Sequence, residues 1–388
     1  MKSVRTEQVT NASNPPTLPP YQFIADERSW NTCLEALRSA PRLAIDLEAN
    51  SMYAYRERVC LIQISITAAD YIIDPVPGFD LSGLGILLDD PAVEKVFHAA
   101  EYDLILMKRD YSWELNNLFD TMWAARILGY SQIGLANLID QFFDVRLSKR
   151  YQKANWCHRP LKAAELSYAQ RDTHYLLDLR DRLGLELEQH NRATEAREIF
   201  EEQSRVRLPN NGFDPQGFWN LNGVYELNPT QQTALQALYL FRDQEARRRD
   251  APHFKILNDR TLLELATRLP GRLDDLLSIH GMSPGQRDRY GRRLLDVIAK
   301  SRQDTLSPPP KRAPRPADEV LVRYDKVHQW RKKQAQARGV ESDVIVSRDA
   351  LWAIATHNPQ NEDELAKLGV LGPWRFKTYA REILRLFQ

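Results

Sequence analysis

Leu43-Ala44-Ile45 runs into Asp46 and Glu48, and two further apolar runs follow, Val59-Cys60-Leu61-Ile62-Gln63-Ile64-Ser65-Ile66 and Asp70-Tyr71-Ile72-Ile73-Asp74. Short runs rich in Ile and Val between polar breaks predict strands, and three in succession predict a meander. A further strand is expected from Val93 to Phe97, then a helix from Glu101 to Arg109. Helical periodicity covers Thr121 to Asp144 and again Ala163 to about Glu202, closing a first domain near Pro209. Strands followed by helices in this order predict an α/β domain over residues 21–210.

Beyond Pro209 no stretch reads as strand, and the chain repeats itself. The displacement that lays Arg242 on Arg331 also lays Leu262 on Leu351, Pro270 on Pro359, Pro284 on Pro373, Tyr290 on Tyr379 and Leu295 on Leu384. Two small all-α domains are expected, over 211–302 and 318–388. The Pro-rich segment 303–317 between them predicts an extended, stiff linker. Residues 1–20 are polar with a Pro-rich end, which predicts a disordered tail and not a secretory signal.

A chain of 388 residues is long enough for two to four domains at roughly 100–200 residues each. With 53 Lys+Arg against 52 Asp+Glu the net charge is +1, which excludes any bulk electrostatic argument for a polyanionic partner. Local clusters such as Arg247-Arg248-Arg249 leave room for a basic surface. The three cysteines, Cys33, Cys60 and Cys157, show no CxxC spacing, so neither a disulfide framework nor a thiolate zinc site is expected. No apolar run approaches the roughly 18 residues of a membrane span. A reducing, cytoplasmic setting is the expectation.

Asp46 and Glu48 stand two apart on a strand, so both side chains leave one face, about 7 Å apart at the backbone. Like charges beside apolar residues call for cations, and a divalent metal is the natural partner. A solvated strand end is the plainer reading of one such pair. Asp103 follows in His98-Ala99-Ala100-Glu101-Tyr102-Asp103, at a helix start where an acid also suits the helix dipole. Tyr168 and Asp172 are i and i+4 on one helical face.

Taken together, DxE, HxAxxD and YxxxD in this order resemble the three motifs of the DEDD exonucleases, in the tyrosine-bearing branch. Val59 to Gln63, Phe119-Asp120-Thr121 and Trp156-Cys157-His158-Arg159-Pro160-Leu161 resemble the ribonuclease D family, and the two repeats resemble its HRDC domains. The resemblance covers Tyr21 to Gln388. It implies a ribonuclease H-like exonuclease domain, a mixed sheet with flanking helices, in which Asp46, Glu48, Asp103 and Asp172 hold two divalent cations, Mg2+ or Mn2+. It implies that Tyr168 positions or helps to deprotonate the attacking water. The implied reaction is 3′→5′ hydrolysis of RNA to nucleoside 5′-monophosphates, with transfer-RNA precursors bearing 3′ extensions as substrates.

Four further residues are candidate substrate contacts. His98 could hydrogen-bond substrate or orient water, or serve the fold alone. Gln63 could touch the terminal sugar or satisfy a buried backbone group. Tyr102 and Trp156 are candidate stacking faces for terminal bases, against the plainer reading of aromatic residues as core. In the repeats, Arg287, Arg289 and Tyr290, and equivalently Trp374, Arg375, Lys377 and Tyr379, could grip phosphates, although such charged faces are usually just solvated. A monomer is expected. Two alternatives stay open: a DNA exonuclease, since nothing in the motifs senses a 2′-hydroxyl, and a non-catalytic RNA-binding adaptor.

Overall fold

The computed structural model describes residues 18–209, 212–311 and 314–387. The tail expected over residues 1–20 therefore lies, up to residue 17, outside the described residues. The first domain is built on a six-stranded mixed sheet. Its elements are β1 (Gln22–Ile24), α1 (Glu27–Arg38), β2 (Arg42–Ala49), β3 (Val59–Ile66), β4 (Ala69–Ile73), α2 (Ser82–Asp89), β5 (Glu94–Phe97), α3 (Glu101–Tyr111) and β6 (Leu118–Asp120). Helices α4 (Thr121–Leu128), α5 (Leu135–Phe143), α6 (Ala163–His174), α7 (Leu176–Gln189) and α8 (Ala193–Ser204) complete it.

The sheet order is β1-β4-β3-β2-β5-β6. The expected meander is its antiparallel centre, β2-β3-β4, while β1, β5 and β6 pair in parallel. Strands β1 and β6 have three residues each, too few to show alternation in sequence. The stretch Thr121 to Asp144 is two helices, because Gly129 takes φ 90° and ends α4 in a left-handed cap. The stretch from Ala163 is three helices, broken at Tyr175 and again before α8, where Asn191 takes φ 57°.

Strand β2 sorts its residues by face. Leu43, Ile45 and Leu47 enter the main core beside Trp30, Leu37, Phe97 and Leu179. Asp46 and Glu48 take the opposite face, which α6 covers. A smaller cluster, Cys60, Leu61, Ile72, Trp156, Leu166 and Ala169, seals α6 onto that face. Asp70 fixes the helix's rotation: it accepts hydrogen bonds from Ser65 Oγ at 2.6 Å and Gln170 Nε2 at 2.7 Å, and lies 2.8 Å from His174 Nδ1. Burial works against the charge of Asp70, but the bonds from His174, Ser65 and Gln170 outweigh it and hold the carboxyl below its ordinary range.

Cys60 and Cys157, 97 residues apart, form a disulfide, contrary to the expectation from spacing. Close approach of β3 and the segment before α6 brings the thiols together, which sequence spacing does not reveal.

Each repeat is an all-helical unit with its own core. The first comprises α9 (Pro229–Arg249), α10 (His253–Ile256), α11 (Asp259–Arg268) and α12 (Pro284–Ser301) around Leu238, Leu262 and Leu294. The second comprises α13 (Asp318–Arg338), α14 (Ser342–Ile345), α15 (Arg348–His357), α16 (Glu362–Lys367) and α17 (Pro373–Arg385) around Val327, Leu351 and Ile383. The paired arginines do one job: Arg242 donates to the Leu257 carbonyl at 3.2 Å, and Arg331 to the Val346 carbonyl at 3.0 Å. The linker is not wholly a free spacer, since Ser307 N–H donates to Gln236 Oε1 at 2.8 Å and Trp219 Nε1 donates to the Ser307 carbonyl at 3.2 Å.

Both repeats dock on the first domain. The loop leaving β2 is held by α9, where Tyr55 Oη donates to Asp243 at 2.6 Å and Tyr55 N–H to Asp250 at 3.0 Å. On the other side α8 receives the second repeat. Arg338 donates to the fully buried Glu195 at 2.7 Å, and Arg375 donates to Glu202 at 2.6 Å. Removing one partner of a buried ion pair strands the other, at a cost of about 3–5 kcal/mol, whereas an exposed pair is worth about 0–1 kcal/mol. Glu195→Ala is therefore expected to cost several times what Glu201→Ala costs, since Glu201 pairs with Arg205 in solvent. Thermal and urea melts of both variants check this, and equal losses would remove the interface from the account of stability.

Candidate active site

Asp46, Glu48 and Asp172 bring carboxylate oxygens within 4.8 Å of one another. The first two come from β2, at the end where its register with β3 shifts between Glu48 and Ala49. The third comes from α6, one turn beyond Tyr168. Asp103 lies in the first turn of α3, only 7% exposed and outside that tight group, yet near enough for its charge to act on Glu48.

Burial pushes Asp46 up to about 7. Burial, then the charges of Asp46, Asp172 and Asp103, raises Glu48 well above its ordinary range. Asp172 is raised by burial and then by Asp46, and Asp103 by burial and then by Asp46 and Asp120. Among the described residues no basic side chain pairs with these acids. Three hard oxygen donors held together without a counter-ion are the donor set a divalent cation takes, so the residues fit such an ion. The Tyr168 phenol is raised by burial and then by Asp172, Glu48 and Asp46.

Asp46, Glu48 and Asp172 line a cleft of about 410 Å3 together with Tyr168, His98, Asn137, Ser148, Lys149 and Gln152. Behind His98 stands Asp120, which sequence reasoning placed in a motif without a role. Its carboxylate accepts the N–H groups of Ala99 and Ala100 at 3.1 and 2.8 Å, and of Met122 and Trp123 at 2.9 and 3.1 Å. Those bonds hold Ala99 at φ 61°, a conformation that costs an L-residue about 1–2 kcal/mol, and so set both His98 and the start of α3. Burial pushes the His98 imidazole down to about 4, so the ring is neutral. Asn137, Lys149 and Gln152 lie on irregular or helix-start positions that carry no sequence signal.

Several expected contacts fall elsewhere. Gln63 is fully buried and neither amide atom has a partner, so it touches no sugar and satisfies no backbone group. Register puts it opposite Asp46, and α6 seals that face. Trp156 is 1% exposed and packs 5.9 Å from the Tyr168 ring, a support for the tyrosine and not a stacking face for bases. Tyr102 is 47% exposed, outside the cleft lining. In the second repeat Arg375 and Tyr379 are buried in the docked interface and do not face solvent as a phosphate grip, while the half-buried Trp374 has its N–H taken by Glu198. Lys377 stays exposed, as does Arg289 of the first repeat, while Arg287 is half-buried and Tyr290 is buried.

Residues 21–188 match the family model described as 3'-5' exonuclease, and residues 231–298 and 320–386 each match the HRDC domain. A ribonuclease D of Gluconacetobacter diazotrophicus is 31% identical over 69% of this chain and 69% of its own. An exosome complex component 10 homolog of Caenorhabditis elegans is 36% identical over 65% of this chain, which spans only 29% of that relative. The crystal structure of Escherichia coli RNase D aligns over 95% of this chain and 99% of its own with a TM-score of 0.64 at 24% identity, a likeness of fold.

The raised carboxyls set a pH dependence. Between about pH 4 and 7 the folded site binds more protons than the unfolded chain, so metal-free stability falls as pH rises through that window. Asp46→Asn is expected to flatten the slope, and Mg2+ or Mn2+ to restore the native protein most at high pH, by about 2.7 kcal/mol at a hundredfold excess over Kd. Calorimetry from pH 5 to 8 checks it; identical slopes in native and variant protein, with no response to metal, would remove the like-charge account.

Proposed function

The chain belongs to the ribonuclease D family of 3′-5′ exonucleases, and from that premise we propose that it trims RNA from a free 3′ end and releases nucleoside 5′-monophosphates. The observation that carries this reading is the meeting of Asp46, Glu48 and Asp172 in one cleft, with Asp103 beside them and Tyr168 a turn away. We assign these four acids as the holders of two divalent cations, Mg2+ or Mn2+. Such a pair supplies Lewis-acid stabilisation of the attacking and leaving oxygens in an in-line displacement.

The chain's own residues do the rest. Tyr168, one turn from Asp172 and lining the same cleft, is placed to position the attacking water or to help deprotonate it. Orientation and proton handling of this kind are typically worth roughly 10²–10⁴-fold. Trp156, packed against that ring, holds it in place. Lys149 lines the same cleft and brings a positive charge to it, suited to the phosphate next to the end. The cleft volume of about 410 Å3 suits one terminal nucleotide. Tyr102 offers an exposed ring on which a neighbouring base can stack.

Transfer-RNA precursors with 3′ extensions are the substrates we favour, acted on by a monomer in the cytoplasm. The names of the ribonuclease D relatives, and the description of the Escherichia coli enzyme as an exoribonuclease involved in structured RNA processing, support RNA over DNA. The test is a 3′-extended transfer RNA and a matched DNA strand incubated with protein and Mn2+ or Mg2+. Stepwise shortening of the RNA with 5′-monophosphate release is expected, and Asp46→Ala is expected to slow it by at least roughly 10²-fold. Digestion of DNA alone would overturn the substrate class. An inactive native protein that still binds RNA would favour the adaptor.

A further inference from the structure

The ring of His98 opens on the cleft with its hydrogen-bonding direction already chosen. Thr121 Oγ1 carries one proton and donates it to the Phe97 carbonyl at 3.0 Å, an atom that only accepts. The same oxygen lies 2.9 Å from His98 Nδ1, so it must accept there, and Nδ1 carries the ring proton. Nε2 is left with a lone pair. It has no protein partner among the described residues, and His98 lines the same cleft as Asp46, Glu48 and Asp172. The Phe97 carbonyl, Thr121 hydroxyl and imidazole thus form a directed chain that ends in an acceptor, and the chain is rigid. Thr121 is fully buried at the start of α4, and the backbone beside His98 is pinned by Asp120.

An acceptor beside a row of carboxylates calls for a donor from the ligand. The phosphates of a nucleic acid offer none, and base edges offer different donors from one base to the next. A hydroxyl on the terminal sugar is the donor that every ribonucleotide end carries. We propose that His98 Nε2 accepts a hydrogen bond from a hydroxyl of the terminal ribose, so that His98 is a specificity-determining contact and Thr121 its positioning residue. This rests on the exonuclease reading above and adds to it. In the linear motif His98 reads equally as a substrate contact or as part of the fold, whereas in the folded chain its bond to Thr121 makes Nε2 an acceptor.

The test uses three otherwise identical oligonucleotides ending in ribose, 2′-deoxyribose or 3′-deoxyribose, each read by kcat, KM and equilibrium binding in fluorescence anisotropy. In the native protein, loss of whichever hydroxyl is read is expected to weaken binding and kcat/KM about tenfold, the scale of one hydrogen bond. His98→Ala is expected to lose about tenfold on the ribose end and nothing more on the analogue lacking that hydroxyl, so the two losses do not add. His98→Gln, which can offer an amide oxygen, recovers part of the loss. Thr121→Val frees the ring tautomer and raises KM, while Thr121→Ser restores it; melting curves confirm that each variant is folded.

Equal losses by His98→Ala on all three ends would overturn the proposal and give the ring to water or to the fold. No loss on any end would overturn it as well. If the native protein hydrolyses none of the three, the exonuclease reading fails separately, and the anisotropy arm still decides: equal binding of the three ends sinks the proposal, and a preference abolished by His98→Ala upholds it.

Discussion

Three carboxylates that share a volume less than 5 Å across repel one another, and the rest of the first domain can be understood as the framework that keeps them there. Left free, the strand end and the helix would separate until solvent screened the charges. What opposes this is packing behind the acids. The central strand is locked between two neighbours, and α6 is pressed onto the sheet by Leu61, Ile72, Leu166 and Ala169. Asp70 then fixes the helix's rotation through Gln170 and His174, so that Asp172 cannot turn away.

Acids elsewhere in the chain show what an ordinary buried carboxylate requires. Asp120 is satisfied by four backbone N–H groups, Asp70 by three side chains, and Glu245 by Arg248, Arg249 and Arg293; against the opposing effect of burial, Arg248 and Arg293 hold the Glu245 carboxyl down to about 2. Each buried charge has its partners within the protein. The cleft acids have none among the described residues, and that difference, invisible in a net charge of +1, separates structural acids from acids whose grouping fits a cation.

The legible parts were those written in short-range pattern. Alternation along Leu43 to Glu48 reveals the strand and the shared face of Asp46 and Glu48, and the spacing of Tyr168 and Asp172 reveals one helical face. Contacts that depend on distant packing were not legible. Gln63 is one position in an apolar run buried on both faces, and only knowing that α6 covers Asp46 tells that the amide is sealed. Trp156 reads equally as core or platform until its neighbours are known. The pairing of Cys60 with Cys157 needs the register of β3 and the path of the segment before α6.

The repeat shows most clearly how a similar sequence reaches a different end. Ser283 caps α12 with its own side chain, accepting the Gln286 N–H at 3.2 Å, and leaves that helix start facing solvent. The displacement that aligns the copies puts Gly372 in its place. There the N–H groups of Trp374 and Arg375 are taken by the carboxylate of Glu198 from α8. A Cβ at position 372 would stand 2.2 Å from the Glu198 carboxyl carbon, so the glycine is what admits the neighbouring domain's acid. A helix start suited to an anion is used in the second copy as a fastener, and in the first it is closed by its own serine. The unequal roles of two similar domains thus turn on whether the cap comes from the helix itself or from the domain next door.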